Sequence, residues 1–224
     1  MPRFSMSRLS PNHRNIMFIG IAVGFSTLTL FVDYQARTER TELRDAVASC
    51  SNVTIPAASA IAACSTVIGR NPKAGWAYAN RGLAYSSIAQ QDRAIADLDT
   101  AIGIDPEYAR AYAIRAVAYG SKGDRARAIA DYTRAIALNP ADALTYSNRA
   151  SVYLQNGESE LAIADASRAI EINPKLVAAY INRAAAREKS GDRAHAIEDY
   201  RSALALNPGN WASTDGLKRL GVGG

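Results

Sequence analysis

Few residues in this 224-residue chain could support covalent chemistry. It holds two cysteines, Cys50 and Cys64, and two distant histidines, His13 and His195. That is too little for a multi-cysteine zinc site, and no nucleophile–histidine–acid arrangement or phosphate-cradling glycine loop accompanies them. No catalytic residue, metal site or cofactor is expected. What does recur is a charge pattern. Arg81, Arg115, Arg149 and Arg183 are each followed sixteen residues later by an aspartate: Asp97, Asp131, Asp165 and Asp199. All eight stand beside apolar positions. An arginine next to a packed seam is costly unless a carboxylate satisfies it, and its planar fork suits a bidentate partner. A structural ladder of Arg–Asp pairs between two helix layers is expected. Register allows Arg81 to meet Asp97 within one segment, or Arg115 to meet Asp97 across two. Binding of an anionic ligand by these arginines is the alternative, and the matching aspartates weigh against it.

The elements that carry this pattern are set by a period. Asn71-Pro72, Asp105-Pro106, Asn139-Pro140, Asn173-Pro174 and Asn207-Pro208 recur every 34 residues without slippage. A fixed period of this size indicates stacked repeats. Each unit has two runs of helical apolar spacing separated by a turn. The first run carries Tyr78, Tyr112, Tyr146 and Tyr180, then the small residues Gly82, Ala116, Ala150 and Ala184, then Tyr85, Tyr119 and Tyr153, with Arg187 in the fourth unit. The turns hold Gly123, Gly157 and Gly191, where the first unit has Ala89 and a less tight turn is expected. The second run carries Ala94, Ala128, Ala162 and Ala196, then an isoleucine, and ends at the proline, which cannot continue a helix.

On these residues the chain resembles the tetratricopeptide repeat family, closely over 75–208 and with a degenerate leading unit before it. Leu98 and Ala166 depart from Tyr132 and Tyr200, and arginine replaces the more usual leucine at the seventh place. The resemblance implies an all-α, right-handed superhelical solenoid of helix hairpins, whose inner groove binds extended peptides or partner helices. It also implies that the sixth residue of each unit, Asn80, Ile114, Asn148 and Asn182, faces that groove. An amide there can pair with a peptide backbone, although Ile114 interrupts the row; the plainer reading is tolerance of a solvated face. Trp76, Leu83, Arg110 and Lys189 join the groove by spacing, with Val117, Leu144, Ser151 and Ile181. Trp76 either anchors a partner or packs on the leading unit.

The segment around Cys64 fits a repeat's second helix. A regular helix before it would offset Cys50 by about 9 Å along the axis, beyond disulfide reach. Extended backbone over Ser51–Pro56 would bring the two cysteines together. Exported bacterial members of the resembled family often show such a leader, so a disulfide is expected, with two buried thiols as the alternative.

Residues 16–32 carry no charge and, as a helix, would span roughly 26 Å, enough for a single anchor. A cleaved signal would need a better small-residue cleavage site than Tyr34-Gln35-Ala36 offers. The net charge of +5 sits mostly in residues 1–32, which contribute +3, while 71–208 contribute only +1. Nucleic-acid binding, which needs clustered phosphate contacts, is thereby disfavoured. The organisation expected is a basic cytosolic arm (1–15), a transmembrane anchor (16–32), a linker or leading helix (33–48), a degenerate repeat (49–74), four repeats (75–108, 109–142, 143–176, 177–210) and a capping helix with tail (211–224). The cap presents Trp211, Leu217 and Leu220 to the open end of the last hairpin. The function expected is a non-enzymatic scaffold at a bacterial inner membrane, amino terminus cytosolic and repeats periplasmic, binding an unidentified protein or peptide. Alternatives are a cleaved periplasmic form, a cytosol-facing adaptor, or a non-catalytic subunit of an envelope complex.

Overall fold

The computed structural model describes residues 26–52 and 54–223, with side chains from residue 35 onward. The arm at 1–15 and the 16–25 part of the expected anchor lie outside the described residues. Helix α1 (Ser26–Ser51) is continuous, so the boundaries expected at 32/33 and 48/49 fall inside it. Two compact units divide after Ala48. In the first, the described side chains of α1 are mostly exposed and polar. No helix among the described residues is long and apolar enough to cross a membrane.

The second unit begins at Ser49 and is all helical. After α2 (Ala57–Arg70) come four hairpins: α3 (Gly75–Ser87) with α4 (Gln91–Ile104), α5 (Ala109–Ser121) with α6 (Arg125–Leu138), α7 (Ala143–Asn156) with α8 (Ser159–Ile172), and α9 (Val177–Lys189) with α10 (Arg193–Leu206). The short α11 (Trp211–Arg219) follows. The recurring Asx-Pro dipeptide explains the joints. The side chains of Asn71, Asp105, Asn139 and Asn173 each accept from the amide two residues on, turning the chain as the proline bars another helical residue. Within the hairpins, Gly123, Gly157 and Gly191 take φ of 80–85°, and Ala89 takes φ 58°. The first turn is therefore built like the others, and alanine occupies a left-handed conformation that costs roughly 1 kcal/mol.

Alanine dominates the core. Ala77, Ala94, Ala116, Ala128, Ala150, Ala162, Ala184 and Ala196 are fully buried. Such small side chains let helix axes approach closely. At Gly82 the fit within the hairpin leaves no room for a side chain, since a Cβ there would lie 2.9 Å from Leu98 Cγ. Mixed clusters join neighbouring hairpins, as where Ala79 and Leu98 pack with Ala111 and Ile114. The first helices of successive hairpins touch one another (α3 with α5, α5 with α7, α7 with α9), whereas the second helices do not. The first helices thus form the inner wall of the stack.

Helix α11 covers the last hairpin differently from expectation. Leu220 is buried and Leu217 packs beside it against Tyr200 and Ala184, but Trp211 is 79% exposed and takes no part. Gly216 lies flat on the Tyr200 ring, where a Cβ would come within 2.4 Å of a ring carbon. The Tyr200 hydroxyl donates to Glu188 Oε2 at 2.8 Å, and Arg219 Nε donates to Glu188 Oε1 at 2.9 Å. The Arg219 hydrogen bond holds the Glu188 carboxyl below its usual range, against an opposing effect of burial. Its folded value lies below the unfolded one, so its contribution is complete above the unfolded pKa and is lost as pH falls through the folded value. Acidification below the ordinary glutamate range should free α11 before the hairpins open. Amide exchange of residues 213–220 compared with α5 measures this. Glu188→Gln should flatten the pH dependence of α11 protection, and an unaltered profile in that variant would contradict the assignment.

Candidate functional site: the inner wall and its ion-pair ladder

Each hairpin places its seventh-residue arginine on the first helix opposite its own aspartate on the second. Arg81 Nε and Nη2 donate to Asp97 at 2.7 and 2.8 Å. Arg115–Asp131, Arg149–Asp165 and Arg183–Asp199 repeat the geometry at 2.7–2.9 Å. Of the two pairings that spacing allowed, the structure has the one within a unit. The side chains are largely buried, the aspartates at 4–11% exposure. The hydrogen bonds that Arg115 donates to Asp131 raise its guanidinium further above the ordinary value, with burial opposing and Asp99 adding. Asp165 does the same for Arg149.

The remaining arm of each guanidinium reaches the preceding unit. Nη1 donates to Ser65 Oγ from Arg81, to Asp99 Oδ1 from Arg115, to Thr133 Oγ1 from Arg149 and to Ser167 Oγ from Arg183, at 2.5–3.1 Å. All four acceptors occupy the twenty-fifth place of their unit. A 34-residue recurrence of short oxygen-bearing side chains there was the signal for this contact, and inspecting the arginines and aspartates alone misses it. In the last hairpin that place is Arg201, and α11 has Leu217 where the next arginine would stand. Each arginine also lies 5.5–5.9 Å from the ring centroid of the tyrosine three residues before it. Arg187, replacing a tyrosine, sends Nη1 to Asp199 at 2.7 Å, so that carboxylate serves two guanidiniums.

On the inner wall, several expected groove residues hold the wall itself together. Asn80 Nδ2 donates to the Cys50 carbonyl at 3.1 Å, and Asn80 Oδ1 accepts from Arg110 Nη1 at 2.6 Å. Asn182 Nδ2 donates to the Ser147 carbonyl at 2.8 Å, and Lys189 Nζ to the Leu154 carbonyl at 3.0 Å. Because neighbouring first helices touch, a sixth-place side chain lies within reach of the backbone before it. Asn148 makes no such bond among the described residues. Ile114 is buried in the inter-hairpin core. Trp76 and Leu83 are half-buried, while Leu144 and Val117 are 54% and 40% exposed. At the leading end, Cys50 and Cys64 form a disulfide with Cα atoms 4.7 Å apart; the link at 52–56 between α1 and α2 returns the chain for it. Both cysteines are buried. Among the described residues, no group of three histidine, cysteine or acidic side chains could hold a metal ion.

Residues 41–220 match the family described as the ETO1 C-terminal domain. The chain belongs to that family. Its fold is that of the tetratricopeptide repeat proteins. The crystal structure of MamA protein superposes with a TM-score of 0.60 at 30% identity, covering 68% of this chain and 83% of that one. The first TPR of Spaghetti (RPAP3), bound to HSP90 peptide SRMEEVD, aligns with a TM-score of 0.51 at 28% identity over 52% of this chain and 93% of its own. TTC0263, a thermophilic TPR protein of Thermus thermophilus, covers 82% of this chain and 97% of its own at TM-score 0.63, and at 20% identity shows the fold alone. No curated protein matches.

In this ETO1 C-terminal domain family member, the ladder and the disulfide each allow a stability test. Removing one member of a largely buried pair strands a charge, whereas replacing both with apolar residues does not. Asp165→Ala should therefore cost about 3 kcal/mol in denaturant unfolding. The double variant Arg149→Leu with Asp165→Leu should recover most of it; equal loss in both would show that the charges are not what matters. Replacing Cys50 and Cys64 by serine releases a short closed loop and should cost about 2–3 kcal/mol. That loss should be concentrated in α2, as read by amide exchange, with α7 unaffected.

Proposed function

We propose that this protein is a non-enzymatic interaction scaffold that binds an extended peptide or a partner protein on the inner wall of its repeat array. The observation that carries the reading is the pair of exposed apolar side chains Val117 and Leu144 on consecutive inner-wall helices, beside the amide of Asn148, which makes no hydrogen bond among the described residues. Apolar groups left open at the centre of a curved wall, with a hydrogen-bonding side chain among them, are what a bound chain needs for anchoring and backbone pairing. The RPAP3 repeat domain, which holds a peptide, supports the same use here.

Residues 16–32 provide the anchor in this proposal, placing the repeats on the outer face of a bacterial inner membrane. The uncharged run supports the tether, and the Cys50–Cys64 bond supports an oxidising compartment. A cytosol-facing adaptor would keep these cysteines as thiols.

A photo-reactive side chain tests the surface. Placed at position 144 in the full chain in its membrane, it should give a discrete cross-linked partner. Placed at Ala164, an exposed residue on a second helix, it should give none. Equal labelling from the two sites, or labelling only from 164, would refute the inner wall as the contact surface.

A further inference from the structure

A cavity of about 220 Å³ opens at the leading end of the inner wall, where the end of α1, the following link, α2 and α3 meet. Ile55, Ala60, Leu83 and Ala84 give it an apolar lining, with Asn80 at one side and Ser87 on the rim. Its back is fixed, because Cys50 is covalently tied to Cys64 and its carbonyl accepts from Asn80. Asn80 Oδ1 in turn holds the exposed guanidinium of Arg110 through Nη1. The seventh-place arginines are neutralised by aspartates, but Arg110 has no carboxylate partner among the described residues. A preformed apolar hollow therefore lies beside an uncompensated positive charge.

We infer that this cavity is a side-chain subsite for an extended peptide carrying a large aliphatic residue next to an acidic one. The inference rests on the reading of the inner wall as a peptide-binding surface, and names the chemistry that its leading end selects. An apolar cavity of about 150 Å³ is enough to hold benzene, so this one accommodates a leucine side chain. The neighbouring carboxylate of the peptide meets the free donors of Arg110, a charge match that an aliphatic residue alone lacks. The disulfide removes the need to order the wall on binding, which favours affinity.

The probe is the blocked hexapeptide acetyl-Gly-Ser-Leu-Asp-Ser-Gly-amide, titrated into the full chain in detergent micelles and followed by NMR. Saturable shifts are expected at Ala60, Leu83 and Ala84. Exchanging leucine for alanine in the peptide should weaken binding about tenfold. Exchanging its aspartate for asparagine, or Arg110→Gln in the protein, should weaken it about threefold. Ser87→Phe, on the exposed rim, should fill the hollow and abolish the shifts while leaving the melting temperature unchanged. Shifts confined to the Ile114–Leu144 stretch would overturn the subsite and leave the wider groove reading standing. Shifts equal for the leucine and alanine peptides, or none that saturate, would overturn the subsite too; the cross-link at position 144 decides the groove reading separately.

Discussion

The close approach of helices through alanine is the constraint on which the rest of this structure depends. A hairpin whose facing positions are alanines, as Ala116 on α5 and Ala128 on α6, buries little apolar area per contact, and its stability comes from nearness and number. Nearness has a second effect. Two helices held closely bring their flanking side chains within hydrogen-bond reach, so a seventh-place arginine can grip the aspartate opposite with both nitrogens. With leucines in place of the alanines, the same fork would not reach. The tyrosine beside each arginine completes the enclosure, covering the stem and the guanidinium face.

Ion pairs of this kind add little net stability over an apolar substitute, so their role lies in placement. The arm to the previous unit makes each arginine a three-point joint. Stability in repeat arrays is a sum of unit terms and nearest-neighbour terms, and the guanidinium contributes to both. The inner-wall bonds from Asn80, Asn182 and Lys189 act between neighbouring first helices in the same way. The wall is therefore rigid at its seams, with its open chemistry left to Val117, Leu144 and Asn148 at the centre and to the hollow under Ile55 and Leu83 at the leading end.

The period was legible because two local effects repeat with it: the Asx-Pro joint, which is a turn wherever it stands, and the alanines, which mark where helices meet. Which aspartate each arginine grips was not legible, because position within a unit is compatible with either neighbour until helix separation is known. The bonds of Asn80 and Asn182 within the wall were not legible for a related reason. Their chemistry suits a peptide backbone, and a helix carbonyl one unit earlier offers the same acceptor. Ala89 looked like a looser turn because alanine disfavours positive φ, but it takes φ 58° and the amide after it closes onto Tyr85, as Asp124 closes onto Tyr119 in the second turn. Trp211 looked like a cap because it is large and apolar; the small Gly216 takes that place, since only a residue without a side chain fits against the face of Tyr200.

Arg201 occupies the place where the three earlier hairpins offer an oxygen to the arginine that follows. A fifth hairpin grafted after the fourth would bring its own guanidinium against this one, two cations where every earlier joint has a donor and an acceptor. Leu217 avoids that clash. Joining a further hairpin with the same seventh-place arginine would therefore begin with Arg201→Ser.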